Sequence, residues 1–165
     1  TGRYYEIDWR ESDLAACIAD DFAGAGLAVV EAYFANVAKV AEKKPTILGH
    51  FDLIKKINGD GKFFDEHAPR YKAAADTALM AAARNRCVLE INTSAVFRGF
   101  RQDFFPSQES LKDWLALSGN VVIPGDAHDA KALTFGFEEA AAQLKALGYT
   151  KVQVLGKDGF RTCAL

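Results

Sequence analysis

Apolar residues along this chain form two alternating patterns, short β-branched runs and longer stretches with helical spacing. The short runs have the composition of buried strands and begin near residues 46, 87, 121 and 151. The longer stretches predict helices over about residues 12–23, 27–40, 65–84, 108–117 and 134–147. Strands and helices that alternate in this way predict a parallel sheet with right-handed crossovers. We therefore expect an α/β fold in a single domain over residues 1–165.

Polar side chains stand at the ends of three of these predicted strands. His50 ends the first strand, and Glu90 and Asn92 share one face of the second by its two-residue period. Asp126 and His128 follow the third strand. Because the carboxyl ends of parallel strands lie on one side of a sheet, we expect all five residues to meet there. Three of them have a structural alternative: His50 as a loop histidine, Glu90 as a salt-bridged strand residue and Asp126 as a helix cap.

Composition narrows the class of protein and of partner. Half of the 165 residues are hydrophobic, which is enough for one sizeable core. The formal charge is −2, with 20 basic and 22 acidic residues interspersed, so we expect small-molecule partners rather than nucleic acid. No apolar run approaches the ~20 residues of a membrane span and no basic-then-apolar leader is present, so we expect a cytoplasmic protein without a membrane partner. The three cysteines lack disulfide or zinc spacing and should serve in packing.

Four segments share their order and spacing with a known family. They are GHFDLIK at 49–55, LEINTS at 89–94, FPS at 105–107 and GDAH at 125–128. These segments resemble the later motifs of the polymerase and histidinol phosphatase superfamily, specifically its histidinol-phosphate phosphatases of histidine biosynthesis. The resemblance covers nearly the whole chain. It implies part of a distorted (β/α)7 TIM-like barrel whose mouth holds up to three divalent metals, and metal-bound hydroxide that hydrolyses a small-molecule phosphate monoester.

The resemblance also implies roles for individual residues. His50, Asp126 and His128 look like metal ligands, and imidazole with carboxylate suits zinc, iron or manganese rather than calcium. Glu90 and Asn92 match a motif beside the metal site and are assigned a supporting role.

A transferred phosphoryl group needs positive charge from the protein in addition to metal. Arg98 and Arg101 follow the second strand closely and are the first candidates for this role. Lys55 is the next candidate. Ordinary surface charge is the alternative interpretation for each of these three residues.

The sequence departs from the family pattern in two ways. Position 125 is Gly where the family more often has Ser, and the amino-terminal His-x-His motif with its following ligands is absent. A barrel of this type needs roughly 250 residues, so we expect the carboxyl-terminal part of one, with an open sheet edge that favours self-association or a missing amino-terminal segment. We expect residues 1–165 alone to bind metal weakly and to have negligible phosphatase activity. Another phosphoesterase of the superfamily and a noncatalytic packing module remain alternatives.

Overall fold

A computed structural model describes residues 2–165, which form one five-stranded sheet with six α-helices. The helices are α1 (Glu11–Phe22), α2 (Gly26–Glu42), α3 (Pro69–Arg84), α4 (Ser94–Phe97), α5 (Gln108–Ala116) and α6 (Phe137–Leu147). The strands are β1 (Ile47–Leu48), β2 (Val88–Glu90), β3 (Asn120–Val122), β4 (Lys151–Gly156) and β5 (Gly159–Ala164). Their spatial order is the order of the chain, β1-β2-β3-β4-β5. The predicted α/β class is confirmed.

The prediction of a purely parallel sheet is wrong at the carboxyl-terminal edge. β1 to β4 pair in parallel, but β5 pairs antiparallel to β4 through a hairpin. Gly156 pairs with Gly159, so Lys157 and Asp158 form a two-residue turn. Asp158 before Gly159 is a known hairpin signal, and Gly159 takes a φ of +107° that a side chain would strain. The sequence interpretation overlooked this signal because the strand that follows shows no clear apolar alternation: Phe160 and Cys163 are three positions apart and so lie on opposite faces.

The helices form a layer in the same order as the strands they connect. α2 packs on α3, α3 on α5 and α5 on α6. Leu48, Leu89 and Val121 lie side by side across the sheet and are buried in the core beneath these helices. Because side chains alternate along a strand, Glu90 and its neighbour Val122 point to the opposite face.

Two predicted helices begin later than the pattern suggested. α3 begins at Pro69 rather than near residue 65, since proline at the first helical position loses no hydrogen bond there. α6 begins at Phe137, after Gly136 in a left-handed conformation. Cys17 and Cys87 are free and buried, as the packing prediction requires, whereas the free Cys163 on β5 is only half-buried. Among residues 2–165 we find no helix with the length and apolar character needed to cross a membrane.

Candidate functional site

Three of the predicted site residues lie together where β1 and β3 end. His50 Nε2 lies 3.7 Å from Asp126 Oδ2, and His128 Nε2 lies 3.5 Å from Asp126 Oδ1. Glu90, at the end of β2, brings its Oε2 atom to 3.9 Å from His50 Nε2. The predicted proximity of these residues is confirmed, although His50 and Asp126 are 76 positions apart in the sequence. Their role as metal ligands stays a prediction.

In the loops that follow β1 and β3, the backbone has a conformation that is unfavourable for a residue with a side chain. His50 has a φ of +54° and Asp126 a φ of +39°. Such conformations cost about 1–3 kcal/mol each and persist only where surrounding contacts impose them. At His50, the backbone N–H donates to Glu90 Oε2 over 2.7 Å, and the carbonyl accepts from the Tyr33 hydroxyl.

The carboxylate of Asp126 is held by two side chains that follow β2. Asn92 Nδ2 donates to Asp126 Oδ2 over 3.0 Å, and Ser94 Oγ donates to the same oxygen over 2.9 Å. The Asn92 side chain also accepts from the Ser94 backbone N–H over 2.9 Å, which closes the turn between them. Asn92, which was predicted to have a supporting role, therefore lies next to the cluster and is joined to Asp126 by one hydrogen bond.

These contacts keep Asp126 ionised. Burial by itself would raise the pKa of Asp126, but the hydrogen bonds from Asn92 and Ser94 and the nearby His50 and His128 outweigh it. The net effect lowers the pKa below its ordinary value. A lowered pKa means that the carboxylate is available as an anionic ligand or acceptor at neutral pH.

Arg98 is the predicted phosphate-binding residue that lies beside this cluster. Its Nη2 atom donates to Ser94 Oγ over 2.9 Å and lies 3.9 Å from Asp126 Oδ2. Arg98, Ser94, Asp126 and His128 line one cavity of about 220 Å³, together with Phe97, Asp129 and Ala132. The cavity thus combines a guanidinium, a carboxylate and an imidazole.

Arg101 belongs to a different set of contacts from Arg98. Its guanidinium donates to both oxygens of Glu66 over 3.0 Å, to Asp103 over 3.1 Å and to the Lys55 carbonyl over 3.1 Å. Lys55 is itself buried, with its ammonium 3.1 Å from Asp103 Oδ2 and 3.3 Å from Asp52 Oδ2. Phosphate binding by Arg101 or Lys55 stays a prediction, and the geometry favours Arg98.

Sequence reasoning did not single out three residues that shape this site. Tyr33 fell within the apolar stripe of a helix, and its hydroxyl gave no sign of a role at the strand end. Ser94 stands two positions after Asn92, a spacing that Asx turns use and that could have drawn attention to it. Asp52 stands two positions after His50 and is fully buried, which the sequence does not reveal.

The donor atoms of this cluster meet some of the requirements of a divalent metal. Within residues 2–165, no group of three or more His, Cys, Asp or Glu side chains is placed so that together they could hold a metal ion. The types of donor do fit zinc, iron or manganese. The separations of 3.5 and 3.7 Å are also close to the ~3.4 Å between tetrahedral ligands with bonds of about 2.1 Å. The donor types and two pairwise spacings, which involve different oxygens of Asp126, are therefore compatible with a metal, but the three side chains are not gathered into one ligand set in the part of the chain that the structure describes.

No family model and no curated protein matches this sequence.

Proposed function

We propose that this chain forms the carboxyl-terminal part of a metal-dependent phosphatase that hydrolyses a small phosphate monoester, of the histidinol-phosphatase type. The observation that carries the proposal is the cluster of His50, Asp126 and His128 with Arg98 beside it. Asp126 and His128 line one cavity with Arg98, and metal donors beside a phosphate-binding guanidinium are what such a reaction needs. Within the same superfamily, another phosphoesterase is the nearest alternative. We include a cytoplasmic location in the proposal, and its only support is the composition of the sequence.

His50, Asp126 and His128 would hold the divalent ion, which is zinc, iron or manganese. Bound there, such an ion supplies a Lewis acid that activates water and neutralises phosphoryl charge. Asn92 and Ser94 orient the Asp126 carboxylate through their hydrogen bonds.

Arg98 supplies the positive charge for the phosphoryl group. Its hydrogen bond to Ser94 uses one of the five N–H donors of the guanidinium, so others can turn to phosphoryl oxygens. A fork of N–H donors matches two phosphoryl oxygens at once.

We further propose that β1 to β4 are part of the wall of a (β/α)7 barrel. The support is the sequential strand order together with a helix layer in the same order. Right-handed crossovers between strands in that order would place the connecting helices on one face, as in a barrel wall.

The test measures the binding of metal and of inorganic phosphate on the purified chain, and phosphate release on the full-length protein that the proposal implies. We expect zinc or manganese to bind to the wild type and Asp126→Ala to abolish that binding. Arg98→Gln should leave metal binding unchanged but weaken binding of inorganic phosphate to the metal-loaded chain by about tenfold or more, the loss of one charge-assisted contact. Arg70→Gln is the matched control, because Arg70 pairs with Glu31 at the surface between α3 and α2.

Two results would contradict the proposal. One is a chain that binds neither metal at millimolar concentration. The other is phosphate release by the full-length protein that survives complete removal of metal. Equal phosphate binding in the wild type and in Arg98→Gln would remove Arg98 alone from the proposed site.

One observation favours a noncatalytic packing module as a second candidate. An apolar groove of about 570 Å³ lies on the sheet and includes Ile47, Val122, Ile123, Val152 and Leu155. Leu155 is 57% exposed, and exposed apolar area of this kind commonly marks a contact surface. Sedimentation of the metal-free chain decides the point, since a strictly monomeric chain would remove this candidate.

A further inference from the structure

His50 is held at both its backbone N–H and its backbone carbonyl by residues from two other elements. Its N–H donates to Glu90 Oε2 over 2.7 Å, and its carbonyl accepts from the hydroxyl of Tyr33 on α2. A backbone φ of +54° is uncommon for a residue with a side chain, so the loop needs such external contacts to stay in place.

Glu90 is placed to act on the backbone of His50 rather than on solvent. Its side chain is only 8% exposed, and it comes from β2, next to the strand that His50 follows. Gly49 makes the approach feasible, because a Cβ at that position would lie 3.0 Å from Glu90 Oε2. A larger residue at position 49 would push the carboxylate away from the His50 N–H.

Tyr33 is placed to act on the carbonyl of His50. Its ring packs edge-on against the ring of Phe34, with 5.3 Å between the ring centroids. This contact within α2 holds the Tyr33 hydroxyl in position. Burial, followed by the charge of Asp52, raises the pKa of Tyr33, so its hydroxyl keeps the proton that it donates. The sequence pattern assigned this residue to packing alone.

We propose that Tyr33 and Glu90 are positioning residues that together fix His50 in a left-handed conformation and so turn its imidazole toward Asp126. The 3.7 Å separation of His50 Nε2 and Asp126 Oδ2 is the result of that arrangement. Contacts that orient a ligand in this manner commonly change metal affinity about 10–100-fold when they are removed. The metal-binding part of this inference rests on the proposed function, whereas the conformational part does not.

The first measurement is amide hydrogen exchange of His50 by NMR in the metal-free 165-residue chain. Tyr33→Phe and Glu90→Ala should each speed exchange at His50 by about threefold to tenfold, the effect of losing one net hydrogen bond. Glu90→Gln should restore slow exchange, because its amide oxygen can still accept the His50 N–H. Gly49→Ala should also speed exchange at His50, and it tests the contact without altering Tyr33 or Glu90.

The matched control is Tyr149→Phe. Tyr149 also donates its hydroxyl to a backbone carbonyl, that of Leu111, over 2.7 Å; this bond is more buried than that of Tyr33 and lies outside the site. This variant loses a bond of the same kind, so it corrects for any general loss of stability. We expect it to leave exchange at His50 unchanged.

The second measurement is a titration with Co²⁺, followed by its visible absorbance. Tyr33→Phe should weaken Co²⁺ binding by about tenfold, and Tyr149→Phe should not change it. A wild-type chain that does not bind Co²⁺ would contradict the proposed function, while the exchange rates would still decide the positioning role. Unchanged exchange at His50 in Tyr33→Phe and Glu90→Ala overturns the inference, as does equal acceleration by Tyr149→Phe.

Discussion

Replacement of the buried carboxylate of Asp52 by Ala should be among the most destabilising single changes in this chain. Asp52 is fully buried two residues after His50. Oδ1 accepts from the Tyr71 hydroxyl over 2.5 Å, and Oδ2 accepts from the Ser107 backbone N–H over 2.9 Å. The ammonium of Lys55 lies 3.3 Å from Oδ2. One carboxylate therefore joins the loop after β1 to α3 and to the start of α5.

The size of the effect follows from the partners that Asp52→Ala leaves behind. The Tyr71 hydroxyl and the Ser107 N–H would each lose their acceptor in the interior, at about 1–3 kcal/mol apiece. Breaking a buried ion pair by itself costs about 3–5 kcal/mol, but Lys55 keeps Asp103 at 3.1 Å and so loses less than that. We expect a total loss of about 3–5 kcal/mol, a large part of the ~5–15 kcal/mol that stabilises a typical domain.

Urea unfolding, followed by circular dichroism, should show this loss as a lower midpoint urea concentration. The slope of the unfolding free energy against urea concentration should stay the same. Asp76→Ala is the control, because Asp76 pairs with Lys72 where both side chains are more than a third exposed. An exposed pair contributes about 1 kcal/mol or less. The reasoning fails if Asp52→Ala destabilises the chain no more than Asp76→Ala does.

Two further predictions concern stability. Gly119→Ala should cost about 1–3 kcal/mol in thermal or urea unfolding, because its Cβ would lie 2.1 Å from the buried ring of Trp114; an unchanged midpoint would contradict this. Asp103→Asn should reduce the loss of stability in acid. Burial would raise the pKa of Asp103, but Lys55 and Arg101 outweigh it and hold the pKa below its ordinary value. The stabilisation is therefore present above the unfolded pKa of about 3.9 and is lost as the pH falls through the lower folded pKa. Parallel acid-unfolding curves for wild type and Asp103→Asn would contradict this assignment.

The sequence by itself determined the alternation of strands and helices and the place where the polar strand ends meet. Both follow from local periodicity and from the common direction of parallel strands. That is why His50, Asp126 and His128 could be predicted to lie together, and they do. The antiparallel β5 could have been predicted from Asp158 and Gly159, but its apolar residues show no clear alternation.

Only the tertiary structure decided which basic residue accompanies the cluster. Arg98 and Arg101 are three positions apart in one loop and have the same side chain, so the sequence offers no reason to prefer either. A turn at Gly99, with a φ of +73°, follows α4 between them. Arg98 then lies beside Asp126, whereas Arg101 binds Glu66. The partner of a long charged side chain depends on which residues from distant parts of the sequence the fold brings within reach. The local sequence pattern does not contain that information.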